Sequence, residues 1–320
     1  MSTAEETTAE MPQEANGRAQ LIIASATLVF SSCTVVVNPL TLLAMGMHGL
    51  IRKNSINMHI ASLCLSDFLM GLSAIPFMLL RLTQANHQEV ITWTASFLFT
   101  TGSIMSSANA FLIGIDRACA TLAAHSYKSL MTTRRAAVDL LAVWSLAIAI
   151  PAACGFATAQ LNSGFETLTY PHELLPAKFL SYIGTPMTIV NTLIIAILYT
   201  VIVVAFYKSS RKIHPSSTFE IRNRRITRTV TMVIVMLLLS NIPVIVVIIM
   251  QTSFGLGSSN AEYFYSYRML YDIAFLLVII PTSCNNCIYV WQLQDFKKAL
   301  IKLMFCRHNS TIHVANACVQ

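Results

Sequence analysis

Seven long apolar runs decide what this chain can become. They fall at roughly residues 21–47, 56–80, 91–115, 137–160, 179–207, 226–252 and 266–291. An α-helix needs about 20 apolar residues to cross the hydrocarbon of a bilayer. Lipid offers no water to the backbone, so each run must satisfy its own N–H and C=O groups, which a helix does. The expected fold is therefore an all-α membrane protein, a seven-transmembrane helix bundle. Composition agrees, with 55% of residues hydrophobic, 11% charged and a mean hydropathy of +0.63. That balance leaves too little polar surface for a water-soluble domain. The first run is too long for a signal peptide and lacks a small-residue cleavage site, so it reads as a retained span.

The basic residues orient the bundle, because loops rich in Lys and Arg stay in the cytoplasm. With the N-terminus extracellular, the inner side carries Arg52, Lys53, Arg117, Lys128, Arg134, Arg135, the cluster from Lys208 to Arg228, and Lys297, Lys298, Lys302 and Arg307. Only Arg18, Arg81, Lys178 and Arg268 fall outside. The net charge of +7 is thus accounted for by topology and by anionic membrane lipid on the inner leaflet, and no nucleic-acid partner is needed. The setting this implies is the cell membrane, crossed several times.

Residues 1–20, polar and rich in Ala, Thr and Glu, read as a disordered extracellular N-terminus. The bundle itself occupies residues 21–291. Residues 292–305 place Leu293, Phe296, Leu300 and Leu303 on one face and lysines on the other, the pattern of an amphipathic helix lying in the inner interface. Residues 306–320 form a cytoplasmic tail. The two longest connections, Leu161 to Lys178 outside and Lys208 to Arg225 inside, are too short for a separate catalytic domain. Of the eight cysteines, all but Cys154 lie in or near the inner parts of spans or in the tail, and no extracellular loop holds a pair, so structural disulfides are not expected.

Polar residues inside the spans carry the functional signal, since an ionisable group at membrane depth costs about 2.5–3.5 kcal/mol on insertion scales. Asp67 is one such acid, in mid-helix, and Ser106, Ser107, Thr282, Asn285 and Asn286 lie at comparable depth in the third and seventh spans. These groups fit a small ion or proton site, and equally a hydrogen-bonded packing cluster. At the inner end of the third span Asp116 and Arg117 place opposite charges side by side.

In their order and spacing these landmarks resemble those of rhodopsin-like (class A) G-protein-coupled receptors over residues 20–306. Asn38 resembles the polar asparagine of the first helix, and Ser62 through Asp67 the second-helix motif ending in an aspartate. Asp116-Arg117-Ala118 resembles Asp-Arg-Tyr, Trp144 the fourth-helix tryptophan, Tyr199 the fifth-helix tyrosine and Pro243 the kink proline of the sixth. Asn285-Asn286-Cys287-Ile288-Tyr289 resembles Asn-Pro-x-x-Tyr, followed at the family's spacing by Phe296 of an eighth helix. The resemblance implies that Arg117 leaves Asp116 on activation to meet a heterotrimeric G protein, with Tyr199 and Tyr289 in support. It implies a Na+ pocket of Asp67, Ser106, Thr282 and Asn285, no covalent cofactor, and palmitoylation at Cys306.

The chain departs from that pattern at several switches. Thr92 stands at the cysteine position of the third helix, Ala118 replaces a tyrosine, and Asn241 stands where a tryptophan is usual. Asn191 and Asn286 stand where the fifth and seventh helices carry proline. Asn223 occupies the place of an acid that locks the helix-three arginine, with Glu220 one turn earlier. Losing a bulky switch and a lock lowers the cost of the active state, so basal signalling is expected.

For the ligand, Phe99 stands where amine receptors carry aspartate and Ile279 where opsins carry lysine, so neither a biogenic amine nor retinal is expected. The outer region offers Trp93, Phe97, Phe99, Thr100, Ser103, Tyr267, Arg268, Tyr271, Asp272 and Phe275, with Asn241 below them. That set suits an apolar, amphipathic or lipid-like small molecule, and the same aromatics fit an interfacial belt. The alternative class is a seven-helix channel or transporter with Asp67 in a polar path. An enzyme is not expected: no His-x-x-x-His or Glu-x-x-His pair sits within a span, and no Gly-x-Ser-x-Gly occurs.

Overall fold

The structure, a computed structural model, describes residues 3–83, 89–123, 125–161, 168–212, 218–254, 261–292 and 294–303. Seven long helices make the bundle: α1 (Thr3–Met47), α2 (Ser55–Thr83), α3 (Glu89–Leu122), α4 (Thr133–Leu161), α5 (Thr185–Lys212), α6 (Thr218–Phe254) and α7 (Ala261–Gln292). An eighth, α8, covers residues 294–303. Seven segments are long and apolar enough to span a bilayer, Gly17–Met47, Ser55–Thr83, Glu89–Leu122, Thr133–Leu161, Ala177–Lys208, Arg224–Met250 and Tyr267–Tyr289. The chain is a multi-pass membrane protein. Each expected span is found, with ends moved by a few residues, because helices continue past the hydrocarbon into the interface.

At the N-terminus α1 begins at Thr3, so helix runs through most of the stretch read from composition as disordered. Ala, Glu, Gln and Met there are strong helix formers, and propagating an existing helix is far easier than nucleating one. At its other end Gly49 adopts a left-handed φ of 61°, and the Leu50 N–H returns to the Met45 carbonyl at 2.9 Å. This is the glycine-ended cap that lets the chain turn into α2.

With no hydrophobic effect between helices in lipid, close approach of backbones does much of the packing. Gly102 of α3 meets α2 so tightly that a Cβ there would lie 2.7 Å from Met70 Cγ and 2.9 Å from the Ser66 carbonyl oxygen. The interior divides into an inner apolar cluster, including Ile60, Ile113, Ile202, Ile234, Tyr199, Tyr289 and Phe296, and an outer one, including Met70, Phe77, Tyr170, Val247, Tyr271 and Phe275. The polar groups of the spans lie between and beyond these two clusters. Phe296 and Ala299 of α8 are buried on the inner cluster beside Tyr289, while Lys297 and Lys298 are exposed. Of the stretch 292–305, residues 293, 304 and 305 lie outside the described ones.

Candidate functional site

At the inner end, α3 brings Arg117 to the floor of a cavity of about 230 Å3, lined also by Lys53, Ser55, Tyr127, Lys128, Met131 and Ile226, with Asp116 beside it. Both charges are almost fully buried. Arg117 donates through Nε to Asp116 Oδ2 at 3.0 Å, pairs with the same carboxylate through Nη2, and donates through Nη2 to the Tyr127 hydroxyl at 3.0 Å. That hydroxyl in turn donates across the Asp116 carboxylate, at 3.2 and 3.3 Å. Ser55 at the start of α2 donates to the other carboxylate oxygen, and the Arg117 guanidinium lies 5.8 Å from the Tyr127 ring centre. Burial pushes the Tyr127 phenol above its ordinary value, so it stays a neutral donor.

Asp116 and Arg117 were legible in the sequence; Ser55 and Tyr127 were not. Tyr127 sits in the one-turn helix Tyr127–Leu130 of the inner loop, and nothing in an eleven-residue separation announces that it folds back under α3. The side chains of Glu220 and Asn223 lie outside those described.

One layer outward, Tyr199 and Tyr289 are buried in the inner apolar cluster. The Tyr199 hydroxyl donates to the Ala110 carbonyl at 3.4 Å, while the Tyr289 hydroxyl is buried with no hydrogen-bond partner. A buried orphan hydroxyl costs about 1–3 kcal/mol, so Tyr289 gains by moving toward any donor or acceptor.

The middle layer holds Asp67. Asn285 Nδ2 donates to its Oδ2 at 2.9 Å, whereas Asp67 Oδ1 and Asn285 Oδ1 are buried with no hydrogen-bond partner. Both residues line a small cavity of about 20 Å3, together with Ser103, Ser106, Ser107, Asn241 and Thr282. All four residues expected at a Na+ pocket line it. A carboxylate with amide and hydroxyl oxygens is a donor set for a hard cation, and the volume admits one water-sized sphere. Thr282 is partly committed, since its hydroxyl donates to the Ile279 carbonyl at 2.7 Å.

Asn286, in the place of a helix-seven proline, ties three helices together. Its Nδ2 donates to Asn38 Oδ1 at 2.6 Å, and its Oδ1 accepts from Cys64 Sγ at 3.4 Å. Asn38 Nδ2 donates to the carbonyls of Thr34 and Thr282. Trp144 Nε1 donates to Ser62 Oγ at 3.0 Å, giving the fourth-helix tryptophan a partner on α2.

The outer end is a second cavity of about 40 Å3, lined by Phe99, Ser103, Asn241, Val244, Val247, Tyr271, Ala274, Phe275 and Val278. The Phe99 and Phe275 rings stack with centres 4.9 Å apart. Of the expected pocket residues, Phe99, Ser103, Asn241, Tyr271 and Phe275 line this cavity. Trp93 does not; it is buried against Leu168 and Leu174, with Phe97 beside it. Thr100 is buried elsewhere on α3, outside the cavity lining. Asp272 is held by Arg81 of α2 in a largely buried ion pair, and Arg268 stands outside the lining as well. In the sequence Arg81 is only an outer charge; its role depends on α2 and α7 meeting at the mouth.

Residues 168–174 fold over this end. The Leu168 N–H donates to Thr92 Oγ1 at 3.2 Å, Thr158 Oγ1 donates to the Leu174 carbonyl at 2.9 Å, and Glu173 Oε2 accepts from the N–H groups of Thr169 and Tyr170 at 2.7 and 3.1 Å. Thr92, at the family's cysteine position, thus anchors the loop by a hydrogen bond. The Tyr170 ring packs on Tyr271 with centres 4.3 Å apart, and the Arg81 guanidinium sits 5.2 Å above it. Burial holds the Glu173 carboxyl above its usual range, opposed by those backbone N–H groups and by Arg81. Among the described residues the cysteines are free thiols.

A seven-helix bundle with a buried acid in mid-membrane, an arginine held at its inner mouth and a covered cavity at its outer one is the architecture of a membrane receptor. The family model for seven-transmembrane receptors of the rhodopsin family matches residues 37–289, and the chain belongs to that family. It is 26% identical over 299 residues to the histamine H2 receptor of Cavia porcellus, covering 87% of this chain and 78% of that one. The histamine H2 receptor of Homo sapiens is 32% identical over 125 residues, 37% of this chain and 33% of its own length. Trace amine-associated receptor 5 of Mus musculus is 24% identical over 299 residues, 90% of this chain and 86% of that one.

Proposed function

We propose that the protein is a cell-membrane receptor, N-terminus outside, in which a small apolar or amphipathic molecule at the outer cavity drives activation of a heterotrimeric G protein. It makes and breaks no covalent bonds; it shifts an equilibrium between two arrangements of the bundle. The observation that carries the reading is the network of Asp116, Arg117, Tyr127 and Ser55 at the floor of the inner cavity. A buried arginine held by a neighbouring carboxylate and a loop tyrosine is a latch: a partner that offers it acceptors from the inner side competes with those two groups. Tyr289, buried with an unpartnered hydroxyl, is ready to support the released arginine.

Asp67 and Asn285, each with a free buried oxygen, together with Ser106 and Thr282, would hold Na+ in the middle layer and favour the closed arrangement. Cys306 lies outside the described residues and stays a candidate for palmitoylation on sequence position alone. Ligand-free activity is also proposed, because asparagine at 223 brings no charge to α6 and so cannot hold Arg117 by an ion pair. Amine ligands, as in the names of the relatives, do not carry over: Phe99 is not an acid, and Asp272 is occupied by Arg81.

The decisive experiment is guanine-nucleotide exchange on purified G protein by the receptor in nanodiscs, beside an Arg117→Ala control. Exchange above that control is expected without added ligand. No difference between the two proteins, with equal amounts folded, refutes basal activity. Ion flux without a G protein would instead favour a permeation path through Asp67, a reading that the family match leaves unfavoured.

A further inference from the structure

Charge of one sign lines the inner cavity. Lys53 comes from the turn between α1 and α2, Arg117 from α3, and Lys128 from the one-turn helix that carries Tyr127. No acid stands among the described residues of that lining. Asp116, beside Arg117, is committed to Arg117, Tyr127 and Ser55. Asp295 of α8 meets Lys53 at 3.5 Å, but both side chains are about half exposed, and such a pair is worth little in water. Asn54, Tyr127 and Thr133 add polar groups to the wall. Thr133 is the first residue of α4, so the positive end of a 29-residue helix stands at the cavity. The volume of about 230 Å3 is many times the roughly 10–15 Å3 that one water needs.

We propose that this cavity is a binding site for a phosphomonoester. Three cations around one space repel one another, and a group that carries about −1.5 to −2 charges and three acceptor oxygens offsets that repulsion while giving each cation an acceptor. A carboxylate brings one charge and two oxygens, and a neutral polyol brings no charge at all. The organic end of the ester lies against Met131 and Ile226, the apolar part of the lining. The phosphate arrives either on a soluble ester from the cytoplasm or on the headgroup of an inner-leaflet lipid. Its consequence rests on the receptor reading: an occupant stands in the path by which a G protein reaches Arg117, so it lowers nucleotide exchange.

Glycerol 3-phosphate, glycerate and glycerol share a three-carbon backbone and differ in charge. Thermal unfolding of the purified protein in phosphatidylcholine nanodiscs is followed with each. At about 1 mM, glycerol 3-phosphate is expected to raise the midpoint by about 2–4 °C, glycerate by less than half as much, and glycerol not at all. The double change Lys53→Gln with Lys128→Gln is expected to remove the shift. Lys297→Gln with Lys298→Gln takes the same charge from the exposed face of α8 and is expected to keep it. Equal loss in the two double variants marks diffuse surface charge and overturns the proposal; so does an equal shift by glycerate, and so does the lack of any shift. If the first double variant fails to fold, Lys128→Gln alone, at an exposed side chain, is expected to reduce the shift at least by half, and a full shift there overturns the proposal as well. Nanodiscs doped with phosphatidic acid, or with phosphatidylserine to the same surface charge, separate the sources. Loss of the glycerol 3-phosphate shift only with phosphatidic acid assigns the site to a lipid headgroup, its survival with both lipids assigns it to a soluble ester, and its loss with both overturns the proposal. No G protein enters this readout, so its failure leaves the receptor reading standing, and failure of nucleotide exchange leaves the site standing.

Discussion

Removing one oxygen atom from the inner latch should release it. In Tyr127→Phe the ring stays under the Arg117 guanidinium, but the hydroxyl that accepts from Arg117 at 3.0 Å and donates to Asp116 at 3.2 Å is gone. Hydrogen bonds to charged groups contribute about 1.5–3 kcal/mol each way of counting. Tyr127 is only half-buried, so the low end of that range is the safer figure for the pair of bonds together. Since about 1.4 kcal/mol is a factor of ten, the equilibrium between held and released arginine should move at least tenfold, up to about 150-fold. The Arg117 to Asp116 ion pair remains, so the receptor should still fold and still respond to its partner. The assay is ligand-free nucleotide exchange in nanodiscs at matched receptor density, with Arg117→Ala as the floor. Basal exchange in Tyr127→Phe should rise several-fold toward its ceiling. If it stays within about twofold of the unmodified protein, the loop tyrosine does not restrain Arg117 and the latch reasoning is wrong.

Breaking the outer ion pair by Asp272→Asn leaves the largely buried Arg81 with only the Tyr170 ring and the more distant Glu173, which should lower stability by up to about 3 kcal/mol, whereas the double change Arg81→Met with Asp272→Leu should recover most of it in thermal unfolding. Gly102→Val should separate α2 from α3, because the added Cβ meets the Ser66 carbonyl oxygen at 2.9 Å; a loss of about 1–3 kcal/mol is expected in the same assay. Glu173 gives a pH signature. Its folded value is raised by burial, so the folded loop binds the proton more readily than the unfolded one, and the loop is most stable below the ordinary glutamate range and weakens as pH rises through the raised value. Hydrogen exchange at the Leu168, Thr169 and Tyr170 amides, corrected for intrinsic rates, should therefore slow at mildly acid pH, and Glu173→Gln should abolish that dependence.

The membrane-spanning fold could be read almost entirely from the chain. Spanning lipid is a local requirement, satisfied within each helix, so hydropathy alone located all seven spans. The polar positions in mid-span were equally visible, because lipid makes each one costly: Asp67, Ser106, Thr282 and Asn285 do meet around one small cavity. Asp116 and Arg117 are neighbours in sequence, so their pairing needed no fold to suggest it.

What only the tertiary structure decided are contacts between segments far apart in the chain. Tyr127 and Ser55 reach Asp116 from a loop and from another helix. Arg81 takes Asp272 out of the ligand pocket across 191 positions of sequence, and Trp93 turns toward Leu168 and Leu174 of the outer loop instead of the cavity. Side-chain direction on a helix is set by how neighbouring helices are rotated about their axes. In lipid that rotation follows from close packing at residues such as Gly102, which hydropathy does not record. Spans are a property of each segment with its solvent; sites are a property of how the segments face one another.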